Sequence, residues 1–152
     1  MRVLGRTLSC FAALALFASV VQAQGDAAAS VRHLPSDIKY TTNPAGVHVA
    51  VLFGNPLQSG LFVQRVKLPA GFKLAPHWHP DSPRTAVVLS GTLYFGLGER
   101  WADSKMVAYP AGTFYSEVAK QPHFVWAKDG EVILQITSMG PSGTTFIEKP
   151  KP

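Results

Sequence analysis

Three observations predict an all-β domain. Short apolar runs rich in Val, Phe, Tyr and Thr recur from residue 47 to residue 137. Gly- and Pro-containing turn signals separate them. Past the N-terminal segment no helical periodicity survives, apart from one turn near Asp103. Short alternating runs split by such turns indicate an antiparallel sandwich or a small barrel.

The elements follow in order. A first run, 47–53, ends at Gly54-Asn55-Pro56. The second, 61–68, starts after Ser59-Gly60 and stops at Pro69-Ala70-Gly71. A strand then leads through Lys73 to His77-Trp78-His79 and breaks in the turn Pro80-Asp81-Ser82-Pro83. Runs 85–90 and 92–96 flank Ser90-Gly91, and runs 106–109 and 113–117 flank Pro110-Ala111-Gly112. Runs 123–127 and 132–137 flank Asp129-Gly130, and Gly140-Pro141 closes the series.

Residues 1–23 read as a cleaved export signal. Arg2 and Arg6 form the basic start, Leu8 to Val21 the apolar stretch, and Val21-Gln22-Ala23 the small-residue cleavage site. The arginines are not adjacent, so the signal is not of the twin-arginine type and the chain is expected to cross a membrane unfolded. A periplasmic or secreted location follows, with no membrane association of the mature form. Removing 23 residues from 152 leaves 129, enough for one domain with a real core. Residues 24–46 read as an N-terminal arm, 47–147 as the domain and 148–152 as a tail. The signal holds two of the 14 basic residues and none of the 9 acidic ones, so the mature charge is +3. That modest surplus is scattered and does not point to nucleic acid. Cys10 is the single cysteine and lies in the signal, which excludes disulfides and thiolate metal sites from the mature chain.

His77 and His79 are two apart on a strand, so both imidazoles point to one side of the sheet. Two convergent imidazoles suit a metal ion better than a core. His123 lies 44 residues after His79 on a different strand, and closure of the β-structure is expected to bring it near. Three imidazoles with an open position form a typical catalytic metal arrangement.

Here the chain resembles the cupin family. The family's first motif has a Gly, five residues, His-x-His, three or four residues, Glu, six residues and Gly, and Gly71, His77, His79 and Gly91 stand at those spacings. The second motif centres on Pro-x-Gly followed by a His. Pro110-Ala111-Gly112 matches, but His123 comes eleven residues after Gly112 in place of three, which implies an extra excursion over 113–122. The chain is also similar to small secreted bacterial cupins with a His-Trp-His-Pro opening and a Pro-His-Phe-x-Trp segment. The resemblance implies a double-stranded β-helix, a jelly-roll barrel, over about 47–147. It also implies one divalent transition metal (zinc, copper, iron, manganese or nickel), and a homodimer made by exchange of the arm.

Arg84 stands where the family has a ligating glutamate. A guanidinium cannot ligate or lose its proton. Three arrangements are open: Arg84 turned away from a three-histidine site with water, Arg84 turned inward onto an acidic ligand, or a site without metal. Glu117 is the candidate replacement ligand, with a surface carboxylate or an ion pair to Arg84 as the competing roles. Asp81 sits in a turn and is expected to cap it. With three neutral imidazoles the ion would keep its +2 charge and prefer carboxylate, enolate or phenolate ligands. Loading outside the cytoplasm favours copper and zinc over manganese or ferrous iron.

Alternation suggests the rest of the lining. Phe114 with Ser116, and Leu93 with Phe95, are expected on inward faces, and Trp126 near His123. Tyr94 and Gln135 are the polar residues expected to face the cavity and position a substrate, with an outward-facing strand position as the alternative for Gln135. Arg65 and Lys67 default to solvent, and His33 and His48 to structural or exposed roles. The functional expectation is an enzyme acting on a small acidic or phenolic molecule by oxygenation, isomerisation or hydrolysis, in the manner of a metal-dependent dioxygenase or isomerase. The rival class is a non-catalytic metal- or small-molecule-binding or sensor module.

Overall fold

Burial alternates clearly along runs such as 84–88 and 132–138, and the strands assemble into two antiparallel sheets. Residues 30–81 and 83–147 are described by a computed structural model. The expected signal, the first residues of the arm, Ser82 and the tail at 148–152 lie outside them. The strands are β1 (Thr41–Thr42), β2 (His48–Phe53), β3 (Gly60–Leu68), β4 (Lys73–Trp78), β5 (Arg84–Ser90) and β6 (Thr92–Leu97). They continue with β7 (Met106–Pro110), β8 (Phe114–Glu117), β9 (His123–Trp126), β10 (Val132–Gly140) and β11 (Thr145–Phe146). Short 3₁₀ turns stand at Pro35–Asp37 and at Asp103–Lys105, the latter where a turn is expected. Among the described residues no helix is long and apolar enough to cross a membrane.

One sheet runs β1-β2-β3-β10-β5-β8 and the other β11-β4-β9-β6-β7. This is the jelly roll that the strand pattern and the family resemblance lead one to expect. β10 shows how it is built: Val132, Leu134, Ile136 and Ser138 are buried, while Ile133, Gln135 and Thr137 stand on the other face. The inward rows of both sheets meet in one core that includes Leu68, Val88, Leu93, Phe95 and Leu134. Each such side chain contributes about 1.5–3 kcal/mol by leaving water.

Two glycines shape the barrel. Gly91 turns the chain from β5 in one sheet to β6 in the other. Its φ is +76°, and a Cβ would collide with the Glu131 carbonyl oxygen. Gly96 leaves room for the Phe124 ring, which lies directly on its backbone.

The end of the expected arm is part of the sheet. Thr41 and Thr42 pair with Val49 and His48 of β2, and Asn43 Oδ1 accepts from the Val47 amide at 3.0 Å. The excursion expected before His123 contains β8, which pairs with β5 along the edge of the first sheet.

Candidate metal centre

Sheet register assembles the histidines. β4 and β9 are neighbours, and His77 stands directly opposite His123 in their ladder. A single sheet therefore brings these two together without barrel closure. A register shift between Leu74 and His77 re-aims the end of β4, and His79 follows one residue after the strand. The ring centroids lie 4.3 Å (His77–His123), 5.0 Å (His77–His79) and 5.3 Å (His79–His123) apart. One ligand atom from each histidine falls within 4.8 Å of the others, and all three residues are buried.

Each Nδ1 faces a backbone carbonyl: Ala75 O at 2.7 Å from His77, Gly143 O at 2.6 Å from His79 and Gln121 O at 3.1 Å from His123. A carbonyl only accepts, so Nδ1 carries the proton and Nε2 keeps its lone pair. Burial first, then the neighbouring His123, pushes the pKa of His77 down to about 3. Burial, then Arg84, does the same for His79, also to about 3. Both imidazoles are therefore neutral at ordinary pH, as a metal ligand must be. Phe95 stacks on His123 at 5.1 Å and Phe146 lies 5.7 Å from His77, which fixes the ring planes. Buried, tautomer-locked imidazoles converging through Nε2 fit a divalent transition ion.

The opposite sheet supplies the charge. Arg84 and Glu117 are cross-strand partners on β5 and β8. Arg84 Nε donates to Glu117 Oε2 at 2.6 Å, and Nη1 donates to Asp81 Oδ2 at 2.9 Å. Asp81 also accepts from Ser142 Oγ at 2.8 Å. Burial raises the Asp81 pKa, but the Ser138 hydroxyl, the Arg84 charge and the Ser142 hydroxyl outweigh it and hold the carboxyl below its ordinary value. Arg84 thus neither turns away nor waits for an external acid, because two carboxylates of the chain itself hold it. Asp81 is an ion-pair partner as well as a turn residue. With one guanidinium against two carboxylates, this cluster carries a net −1.

Glu117 takes the ion-pair role and still reaches the histidines. Its Oε2 lies 3.8 Å from His79 Nε2 and 3.9 Å from His123 Nε2, outside the group of mutually close ligand atoms. The carboxylate missing at position 84 is therefore present one strand over, paired with the Arg84 guanidinium.

The triad opens onto a cavity of about 290 Å³. One pole is polar, formed by the histidines, Arg84, Glu117 and Thr144. The remaining wall is mostly apolar, with Val49, Val66, Leu74, Val125, Leu134 and Ile136 among its side chains. Burial, then the Glu117 charge, pushes the phenol pKa of Tyr115 well above its ordinary value, so it stays protonated at the cavity wall.

Several expected residues point elsewhere. Tyr94 stands on the outer face of its sheet, opposite Trp126, and donates to Asp129 Oδ2 at 2.6 Å. Gln135 lies opposite Arg65 and Val87 on the outer face of β10, because Leu134 and Ile136 take the inward register. Phe114 is 65% exposed, while Tyr115 and Glu117 face inward. Trp126 packs outside with Trp101 and Lys73, although it follows His123 closely. Leu93 and Phe95 are buried as expected. Lys67 pairs with Glu131 at 3.6 Å, His48 Nδ1 meets Thr42 Oγ1 at 2.9 Å, and His33 Nε2 meets Leu52 O at 3.0 Å, all away from the cavity.

Asn43, Gln64 and Thr144 are polar wall residues not expected from the sequence; for Gln64 the signal is its place in the inward row Phe62-Gln64-Val66-Leu68. Ser142, Gly143 and Phe146 follow the last expected strand and carry no comparable signal.

The family described as Cupin matches residues 34–98. A stretch of 49 residues is 43% identical to Germin-like protein 5-1 of Oryza sativa subsp. japonica, and it spans 32% of this chain and 21% of that relative. Among solved structures the chain is similar to the polyketide cyclase RemF from Streptomyces resistomycificus, with TM-score 0.62 and 13% identity over 78% of this chain and 87% of that one. It is also similar to an RmlC-like cupin from Shewanella frigidimarina, with TM-score 0.57 and 14% identity over 71% and 89%. KdgF from Halomonas sp. matches with TM-score 0.54 and 15% identity over 69% and 89%. At these identities the structural likeness is one of fold.

Proposed function

We propose that this chain, which belongs to the cupin superfamily, is an exported metalloprotein that acts on a small organic molecule. The carrying observation is the convergence of His77, His79 and His123 at one pole of a mostly apolar cavity. The three Nε2 atoms would hold one divalent ion. When bound, such an ion supplies Lewis acidity toward an oxygen of the ligand. The sequence of residues 1–23, with its basic start and apolar stretch, supports the reading of export, and loading outside the cytoplasm would favour zinc or copper.

The chain's own residues suggest the rest. Apolar walls accept an aliphatic or aromatic body and exclude water from the polar pole. Glu117 is the carboxylate beside the triad, and it accepts the proton of an acidic ligand hydroxyl. Arg84 positions Glu117 and balances its charge. Because Arg84, Asp81 and Glu117 together carry −1, the reading favours monoanions such as a phenolate, an enolate or a simple carboxylate over dianions. The reactions that fit are oxygenation, isomerisation or hydrolysis at the oxygen-bearing carbon.

The second reading, a non-catalytic binding or sensor module, draws on one observation: the carboxylate nearest the triad is already committed to Arg84. Elemental analysis of protein taken from the periplasm, followed by turnover and oxygen-uptake assays against phenols and monocarboxylic acids, tests both. Turnover with the loaded protein supports the enzyme. Tight metal-dependent binding without turnover supports the module. Better binding of neutral compounds than of acids contradicts the ligand class.

A further inference from the structure

We infer that the C-terminal segment Ser142–Phe146 is the outer half of the metal centre, so that docking of this segment and binding of the metal form one coupled equilibrium. This inference rests on the three-histidine metal reading above.

The three imidazoles are not held alike. His77 and His123 donate to carbonyls two residues back in the chain, Ala75 on the same strand and Gln121 in the turn just before β9. His79 donates to Gly143, 64 residues further along the chain. The tautomer and plane of His79 therefore depend on a segment that is not part of its own strand. If the segment lifts, His79 loses its Nδ1 acceptor and its fixed Nε2 lone pair, while the other two keep theirs.

The same segment reaches the charged cluster. Ser142 Oγ donates to Asp81 Oδ1 at 2.8 Å and accepts from Arg84 Nη1 at 3.3 Å. Phe146 stands opposite His77 in the short β4–β11 ladder and lines the cavity with Thr144. Within five residues the segment touches two of the three histidines and the guanidinium that holds Glu117.

Its own attachment is slight. β11 is two residues long, and Gly143, Thr144 and Thr145 are exposed. Backbone bonds at its ends, Ser142 N to Pro56 O at 2.7 Å and Ile147 N to Pro76 O at 2.9 Å, complete the docking. A segment with little apolar burial opens at low free-energy cost. A cation on Nε2 polarises the imidazole and strengthens the Nδ1–H bond to Gly143. By linkage the metal holds the segment down as strongly as the segment holds the metal.

Hydrogen exchange of the full-length mature protein, with and without zinc as the only added probe, tests this. Zinc should slow exchange of the Thr145 and Ile147 amides by at least about tenfold beyond any change in the β3–β10 ladder, which reports global stability. Ser142→Ala, which keeps all three imidazoles, should weaken zinc binding severalfold and reduce that extra protection. Stoichiometric zinc binding with unchanged exchange at Thr145 and Ile147 overturns the coupling and leaves the metal site standing. Absence of zinc binding to the full-length chain overturns both. An unchanged zinc affinity in Ser142→Ala also counts against the coupling.

Discussion

Arg84 and Glu117 face each other across the β5–β8 ladder, with Nε and Oε2 2.6 Å apart at the wall of the histidine cavity. The pair places a carboxylate beside the triad even though a guanidinium occupies the position where cupins carry their ligating glutamate. β8, part of the excursion that delays His123 in the sequence, brings Glu117 there.

Removal of Arg84 should be costly. Arg84→Met leaves Asp81 and Glu117 buried with no cation between them, and breaking a buried pair from one side costs about 3–5 kcal/mol. Urea unfolding of the metal-free protein measures it, and a loss below about 1 kcal/mol would show that the two carboxylates find other partners.

Glu117→Gln should separate stability from binding. Asp81 still holds Arg84, so the fold survives. The site loses its carboxylate, and metal affinity should fall by about tenfold or more, as for loss of an outer ligand partner. Calorimetric titration with zinc checks this; an affinity equal to the parent's would remove Glu117 from the centre.

Acid should destabilise the metal-free protein from a defined point. His77 and His79 have folded pKa values of about 3 against 6.5 in the unfolded chain. Between those values the unfolded state binds more protons, so stability is complete above about pH 6.5 and falls as pH drops toward 3. Each histidine contributes a slope of up to about 1.4 kcal/mol per pH unit in that window. Unfolding midpoints at pH 7.5 and pH 5, with chelator present, should differ accordingly; equal midpoints would show that the imidazoles are not buried neutral.

Tyr94→Phe and Gln135→Leu should leave metal and ligand affinity within about twofold of the parent, since both side chains lie on outer sheet faces. A large loss of ligand binding in either would mean that the cavity is lined differently.

Strand positions were legible because the runs are short, rich in Val, Phe, Tyr and Thr, and separated by turns that carry Gly or Pro. The triad was legible because two histidines share a strand face and a third lies on another strand. Which face a strand buries was harder to read. A period of two fixes that Phe114 goes with Ser116 and Tyr115 with Glu117, but not which pair looks inward; the pairing of β8 with β5 decides that. Gln135 fell to the same ambiguity. The Arg84–Asp81–Ser142 contacts join residues up to 61 apart, and no local pattern announces them. Tyr94 finds its partner in Asp129 of the loop after β9, which no strand-level rule specifies.

The most direct test of the metal centre is metal content per folded chain, measured by elemental analysis on the parent and on His123→Ala purified side by side. The account predicts one divalent ion per parent chain, and none in a variant whose far-ultraviolet circular dichroism still reports a β-fold. A folded His123→Ala protein that keeps the full complement would contradict it.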